Sequence, residues 1–102
     1  MYARVTQYKI HPGKLEQFTA TVDSLMPAIH QLAGFRVVLV LRGTAKDKPD
    51  AMTVSVWDSI EDLHASDNNV FLNQALARLM SCCEAFPTIR EQEVLLSEFA
   101  TV

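Results

Sequence analysis

The chain is 102 residues long, 49% of them hydrophobic and 21% charged, with a formal charge of −3. This is the composition of a folded domain rather than a disordered segment, and at this length folding buries only about two thirds of the unfolded surface, so stability leans on a partner. The acidic balance argues against a nucleic-acid surface; no apolar run nears the roughly 20 residues of a membrane span, and the opening MYARVTQYKI lacks the order of a signal peptide, so a cytoplasmic protein with no nucleic-acid or membrane partner is expected.

Residues 2–10, YARVTQYKI, are rich in β-formers and stop at His11-Pro12-Gly13, which predicts a first strand. From Lys14 the apolar residues Leu15, Phe18, Val22, Leu25, Met26, Ile29 and Leu32 recur in steps of three and four, the spacing of one helix face. Pro27 lies inside that helix and must remove a backbone hydrogen bond, so a kink or break is expected there, with Gly34 as the stop.

In FRVVLVLR, residues 35–42, alternation puts Phe35, Val37, Leu39 and Leu41 on one face and makes Val38 and Val40 the apolar centre of the other. The turn-rich GTAKDKPDA, residues 43–51, and MTVSVW, residues 52–57, then predict a hairpin. Ser59 with Asp62 three residues later fits a capping box, and Glu61 and Asp62 sit where a helix dipole favours acids. After ASDNN, a second helix carries Leu72, Leu76, Leu79, Cys83 and Phe86 on its stripe until Pro87. TIREQEVLLSEFA, residues 88–100, alternates like a last strand. Adjacent Cys82 and Cys83 are too strained for a mutual disulfide and read as reduced thiols, Cys83 on the apolar stripe and Cys82 beside it.

The order is βαββαβ, an α+β domain with helices on one face of an antiparallel sheet. Without repeat, linker or low-complexity segment, residues 1–102 read as one domain. The uncovered face, with Val38 and Val40 at its centre, is expected to meet a second copy of the chain.

Four stretches in this order, MYARVTQYKIHPGKLEQ, MPAIHQLAGFRVVLVL, VSVWDSIEDLHAS and IREQEVLLSEF, resemble the antibiotic-biosynthesis-monooxygenase-like domains of the dimeric α/β-barrel superfamily. The resemblance spans nearly the whole chain and implies ferredoxin-like subunits paired as a homodimeric α/β barrel. Its members include cofactor-independent oxygenases of aromatic polyketides and quinols, haem-degrading enzymes, isomerases of small signals and many uncharacterised proteins, and fold does not choose among them. The haem-degrading branch uses an Asn on the first strand with a Trp and a His on the second helix. Here the first strand has no Asn and NNVFLNQALARLM has neither Trp nor His, which disfavours haem.

The expected function is therefore cofactor-free monooxygenation of a small aromatic or quinol-type molecule; the competing class is a non-catalytic, small-ligand-binding or stress-associated dimer. Trp57, the one tryptophan, is expected to wall a cavity, with core packing as its structural alternative. His30 and His64 are the candidate bases, each also readable as a surface histidine. Met26 on the first helix is a further substrate-binding candidate, and Arg36, with Arg42, could hold an anionic oxygen or simply pair with acids at a sheet rim. Glu91 and Glu93 share a strand face that reads as a solvated or interfacial edge. No Gly-rich phosphate loop, nucleophile elbow or metal-ligand spacing occurs, so neither nucleotide, metal nor other cofactor is implied. An RNA-binding ferredoxin-like module is the weakest reading, for want of strand aromatics and basic charge.

Overall fold

Each half of the chain supplies two strands to a single sheet. A computed structural model describes residues 1–44 and 50–100. Its elements are β1 (Tyr2–Lys9), α1 (Leu15–Ser24), α2 (Met26–Ile29), β2 (Phe35–Arg42), β3 (Asp50–Trp57), α3 (Ile60–Ala65), a 3-10 turn (Ser66–Asn68), α4 (Val70–Met80) and β4 (Thr88–Glu93). The sheet order is β2-β3-β1-β4 with every neighbouring pair antiparallel, the ferredoxin-like arrangement expected from the element order. Most of the connector expected to close the hairpin, residues 45–49, lies outside the described residues, but the β2–β3 pairing it joins is present.

The helices pack on one side of the sheet. Phe18, Val22 and Leu79 meet Tyr8, Ile10 and Ala51 in one buried cluster, and Ile29 and Leu63 meet Trp57 in a second, with Met26 packing against both. The Tyr8 and Phe18 rings cross edge-on at 4.8 Å between centroids. Pro27 produces a break rather than a kink: α1 ends at Ser24 and Pro27 falls in the first turn of α2, where no amide donor is required. Ser59 caps α3 by accepting from the Asp62 amide at 3.1 Å, as its spacing predicts, and Asn69 caps α4 in the same way from Leu72 at 3.0 Å.

Three details depart from the sequence reading. The first is a β-bulge: Phe35 stands opposite Trp57 but Val37 stands opposite Val56, so Arg36 is an extra residue and alternation restarts after it. Phe35 faces the helices with Trp57, yet beyond the bulge it is Val38 and Val40 that face them. The open side carries Val37, Leu39 and Leu41, the two leucines 48% and 44% exposed, in register beside Val56, Val54 and Met52 of β3, which in turn neighbour Ala3, Val5 and Gln7 of β1. An uncovered apolar face therefore exists as expected, with its membership exchanged.

The second is that α4 stops at Met80, because the chain turns to pair with the end of β1. The His11 amide donates to the Cys82 carbonyl and the Glu84 amide to the Lys9 carbonyl, both at 2.8 Å. That turn rotates the cysteines, so Cys82 is the fully buried one and Cys83 only partly so; both are free thiols, and Phe86 is left 87% exposed. The third is that β4 ends at Glu93, and Leu95, Leu96 and Phe99 follow it unburied.

Gly34 joins α2 to β2 with a positive φ of 77°, and an added Cβ would overlap the Asp62 side chain of α3. Gly34→Ala is expected to cost more than about 1 kcal/mol in urea unfolding, since both backbone and space oppose it, and Asp62→Ala in the same chain should recover only part of the steric cost, because the Cβ of residue 62 remains 2.8 Å from the added methyl. Ser59→Ala should cost about 1 kcal/mol through loss of the cap; an unchanged midpoint for either would contradict these local accounts.

Candidate functional site

Between the helices and the sheet lies a cavity of about 380 Å3. Its roof is apolar, made by Val22, Leu25, Met26 and Ile29 from the first helical pair and Leu72, Leu76 and Leu79 from α4. Its floor is the helix-facing side of all four strands and is mostly polar: Arg4, Thr6 and Tyr8 of β1, with Arg4 and Thr6 opposite Ser55 and Thr53 of β3 and opposite Glu91 and Ile89 of β4, and Val38 of β2 beyond. A flat molecule with an oxygen-bearing edge would find apolar contact on one side and hydrogen-bonding groups on the other.

One end of the floor holds a chain of charged groups drawn from four elements. Asp67, in the 3-10 turn, takes Arg4 in a two-point grip, Oδ1 to Nη1 at 2.7 Å and Oδ2 to Nη2 at 3.0 Å. Glu91 Oε1 stands 3.7 Å from Arg4 Nη2, and its other oxygen, Oε2, is 2.9 Å from His64 Nε2. Asn73 Nδ2 donates to the Asp67 carbonyl at 3.1 Å and fixes the turn against α4. The Arg4 Nε is buried with no hydrogen-bond partner, a donor whose burial costs about 1–3 kcal/mol.

The sequence candidates fall into two groups. Met26 lines the cavity, and His64 reaches it through Glu91, its own ring not among the lining groups. Trp57, Phe35 and His30 form a run of edge-to-face rings beside it, with centroids 5.5 Å and 5.4 Å apart. Trp57 is 2% exposed, and its indole N–H donates to Ser55 Oγ at 3.1 Å, which ties it to the floor from behind. Arg36 projects from the bulge and pairs with Asp58, outside the cavity lining. Arg4 and Asp67 were not singled out in the sequence, and Glu91 read as an edge residue. The available signal was that β1 places polar Arg4 and Thr6 on the same face as Tyr2 and Tyr8, whereas a packed strand face is usually apolar. Among the described residues no group of three or more His, Cys, Asp or Glu is arranged to hold a metal ion.

A larger hollow of about 590 Å3 lies at the other end of the sheet, around Leu41, Arg42, Met52 and Phe86. It opens partly onto the uncovered face, carries Lys9, Arg42 and Asp50 and of the candidates holds only Arg42, whereas the contacting Asp67–Arg4–Glu91 group lies at the smaller site.

The sequence pattern of the antibiotic biosynthesis monooxygenase family matches residues 1–77. No curated protein sequence matches the chain. Solved structures share the fold at low identity. A variant of SnoaB, a cofactor-independent oxygenase from Streptomyces nogalater, superposes with a TM-score of 0.80 at 14% identity over 94% of each chain. Rv0793 from Mycobacterium tuberculosis gives 0.79 at 11%, over 94% of this chain and 96% of that one. A conserved protein from Methanosarcina mazei gives 0.77 at 15%, over 89% and 90%. At these identities the likeness is one of fold.

Burial holds the Tyr8 phenol above its ordinary value of 10.0, although the nearby Thr53 and Thr6 hydroxyls pull it down. The unfolded chain releases this proton at the ordinary value, so above it the folded state binds more protons than the unfolded one. Stability should then fall as pH climbs past about 10. Tyr8→Phe cannot ionise and is expected to lose less stability over that interval in pH-dependent unfolding; parallel curves would show that Tyr8 does not contribute.

Proposed function

Because this chain belongs to the antibiotic biosynthesis monooxygenase family, we propose that it is a cofactor-independent monooxygenase that takes a small aromatic, quinol-type molecule into the cavity between helices and sheet. The observation that carries this reading is the two-sided cavity itself, an apolar roof over a floor of hydroxyls that ends in the Asp67–Arg4–Glu91–His64 chain. The fold shared with a cofactor-independent oxygenase supports it.

In this mechanism a base removes the phenolic proton of the bound molecule. The candidate histidines are His64, which touches the cavity-lining Glu91, and His30, behind Phe35; neither ring is itself in the lining. The electron-rich anion then reduces dioxygen directly: one oxygen atom stays on the ring carbon as a carbonyl and the other leaves as water, with all the electrons supplied by the substrate. Met26 contacts the ring from the roof and Trp57 backs the floor through Ser55. Arg36, paired with Asp58 beyond the lining, would bind only a substituent that extends toward the bulge.

The protein works as a homodimer in the cytoplasm, with the sheet face of Val37, Leu39, Leu41, Met52, Val54 and Val56 covered by a second copy. A second reading, a dimer that binds such ligands without turnover, is favoured by one feature: the charged groups at the site already satisfy one another.

Oxygen consumption with a panel of hydroquinones and naphthols, in the presence of a chelator, separates the two. Turnover with saturable quenching of Trp57 emission supports the monooxygenase; quenching without oxygen uptake supports the binding protein; neither would remove both. Light scattering is expected to give twice the 11.4 kDa chain mass, and Leu39→Glu with Leu41→Glu should yield a folded monomer. A wild-type monomer at low micromolar concentration would remove the proposed interface.

A further inference from the structure

We propose that Glu91, rather than a histidine, is the group that takes the substrate proton inside the cavity, and that His64 is the exit by which this proton reaches water. This rests on the aromatic-cavity reading above and assigns the residues that carry its first step. Glu91 lines the cavity, whereas His64 does not. The two are joined by the 2.9 Å contact between Oε2 and Nε2, and with the His64 side chain 53% exposed against 41% for Glu91, the imidazole continues the line from the cavity-lining carboxylate outward to solvent.

Every other ionisable group facing Glu91 has a matching place. Arg4, from the neighbouring strand, approaches Oε1 at 3.7 Å, and Asp67 grips the same guanidinium at two points, which stops Arg4 from collapsing fully onto Glu91. Glu91 is thus oriented by a cation on one oxygen and an imidazole on the other. Arg4 and Asp67 are positioning residues.

The proton balance is simple. The O–H bond of the bound phenol breaks as an O–H bond forms on Glu91, leaving an anionic oxygen on the ligand. That carboxyl bond breaks as an N–H bond forms at Nε2 of His64, with the ring in the tautomer that carries its proton on Nδ1. The resulting imidazolium gives the Nδ1 proton to water, and ring reorientation or proton exchange with water restores the starting tautomer. No electron moves in these steps, so the relay needs no oxidant and can be observed without turnover.

The test mixes the full chain with 4-nitrophenol, whose anion absorbs visibly and whose neutral form does not, in weakly buffered solution containing a pH indicator and below the pH at which the free phenol ionises. In wild type the anion band and the acidification are expected to rise together. Glu91→Gln should bind the phenol, read by Trp57 quenching, without the band. His64→Ala should separate the two signals, with acidification slowed by on the order of 100-fold and the lag closed by added imidazole, which a merely structural role would not produce. Circular dichroism establishes that both variants are folded. Binding with an undiminished band in Glu91→Gln, or binding without a band in wild type, overturns the relay alone. Prompt acidification in His64→Ala, or slow acidification that imidazole does not restore, overturns the exit. Failure of wild type to bind overturns the aromatic-cavity reading and the relay with it.

Discussion

One inserted residue, Arg36, decides which side of β2 meets the helices. Side chains alternate along a strand, so a single extra position exchanges the two faces of everything beyond it. With the bulge, Phe35 joins Trp57 and Leu63 under α3 while Val38 and Val40 fill the floor beneath the other helices. Without it, Leu39 and Leu41 would press into the helix side and crowd the cavity. The bulge also throws the Arg36 side chain outward to Asp58, at the strand-to-helix junction. The cavity, the aromatic run and the uncovered face all inherit their composition from this one register change.

Much of this architecture was legible because its signals are local. The period of three and four in α1, the Ser59 cap and the Pro27 break each depend on a few neighbouring residues, and each is where those residues imply, whereas the helix expected to run to Gly34 already ends at Ile29, and Gly34 serves the turn into β2. What could not be read was long-range. A bulge is defined by a partner strand, and nothing in FRVVLVLR marks Arg36 as the extra residue. The end of α4 depends on hydrogen bonds that Cys82 and Glu84 make with residues 9–11, so the stripe through Cys83 and Phe86 continued on paper past the point where the helix stops.

The same reasoning explains the site. Histidines and a lone tryptophan stand out in a sequence because they are chemically conspicuous, and they mark this region of the fold. The cavity-facing charged groups, however, are an arginine, an aspartate and a glutamate from β1, the 3-10 turn and β4, at positions 4, 67 and 91. Their association is a product of strand register: Arg4 and Glu91 are direct cross-strand partners on the helix-facing side. Two carboxylates around one guanidinium would be a surface pattern of little energetic weight if fully solvated. Here the Arg4 side chain is 21% exposed and its Nε is sealed from water, so the arrangement is held more firmly than a surface pair.

The strand that brings Glu91 to the site is also the least anchored part of the sheet. Each residue of β4 is exposed, and the strand bonds to β1 along one side only. Elements of that kind open by local fluctuation at a fraction of the free energy that unfolds a domain. The hydroxyl floor on β1 and β3 belongs to the interior of the sheet and survives such an opening, whereas the contact between Glu91 and His64 does not. An opening of β4 would leave a cavity that keeps most of its walls but has lost its carboxylate. Whatever braces the free edge of β4 sets how much of the population carries a complete site, so chemical competence and thermal stability are separately adjustable quantities in this fold.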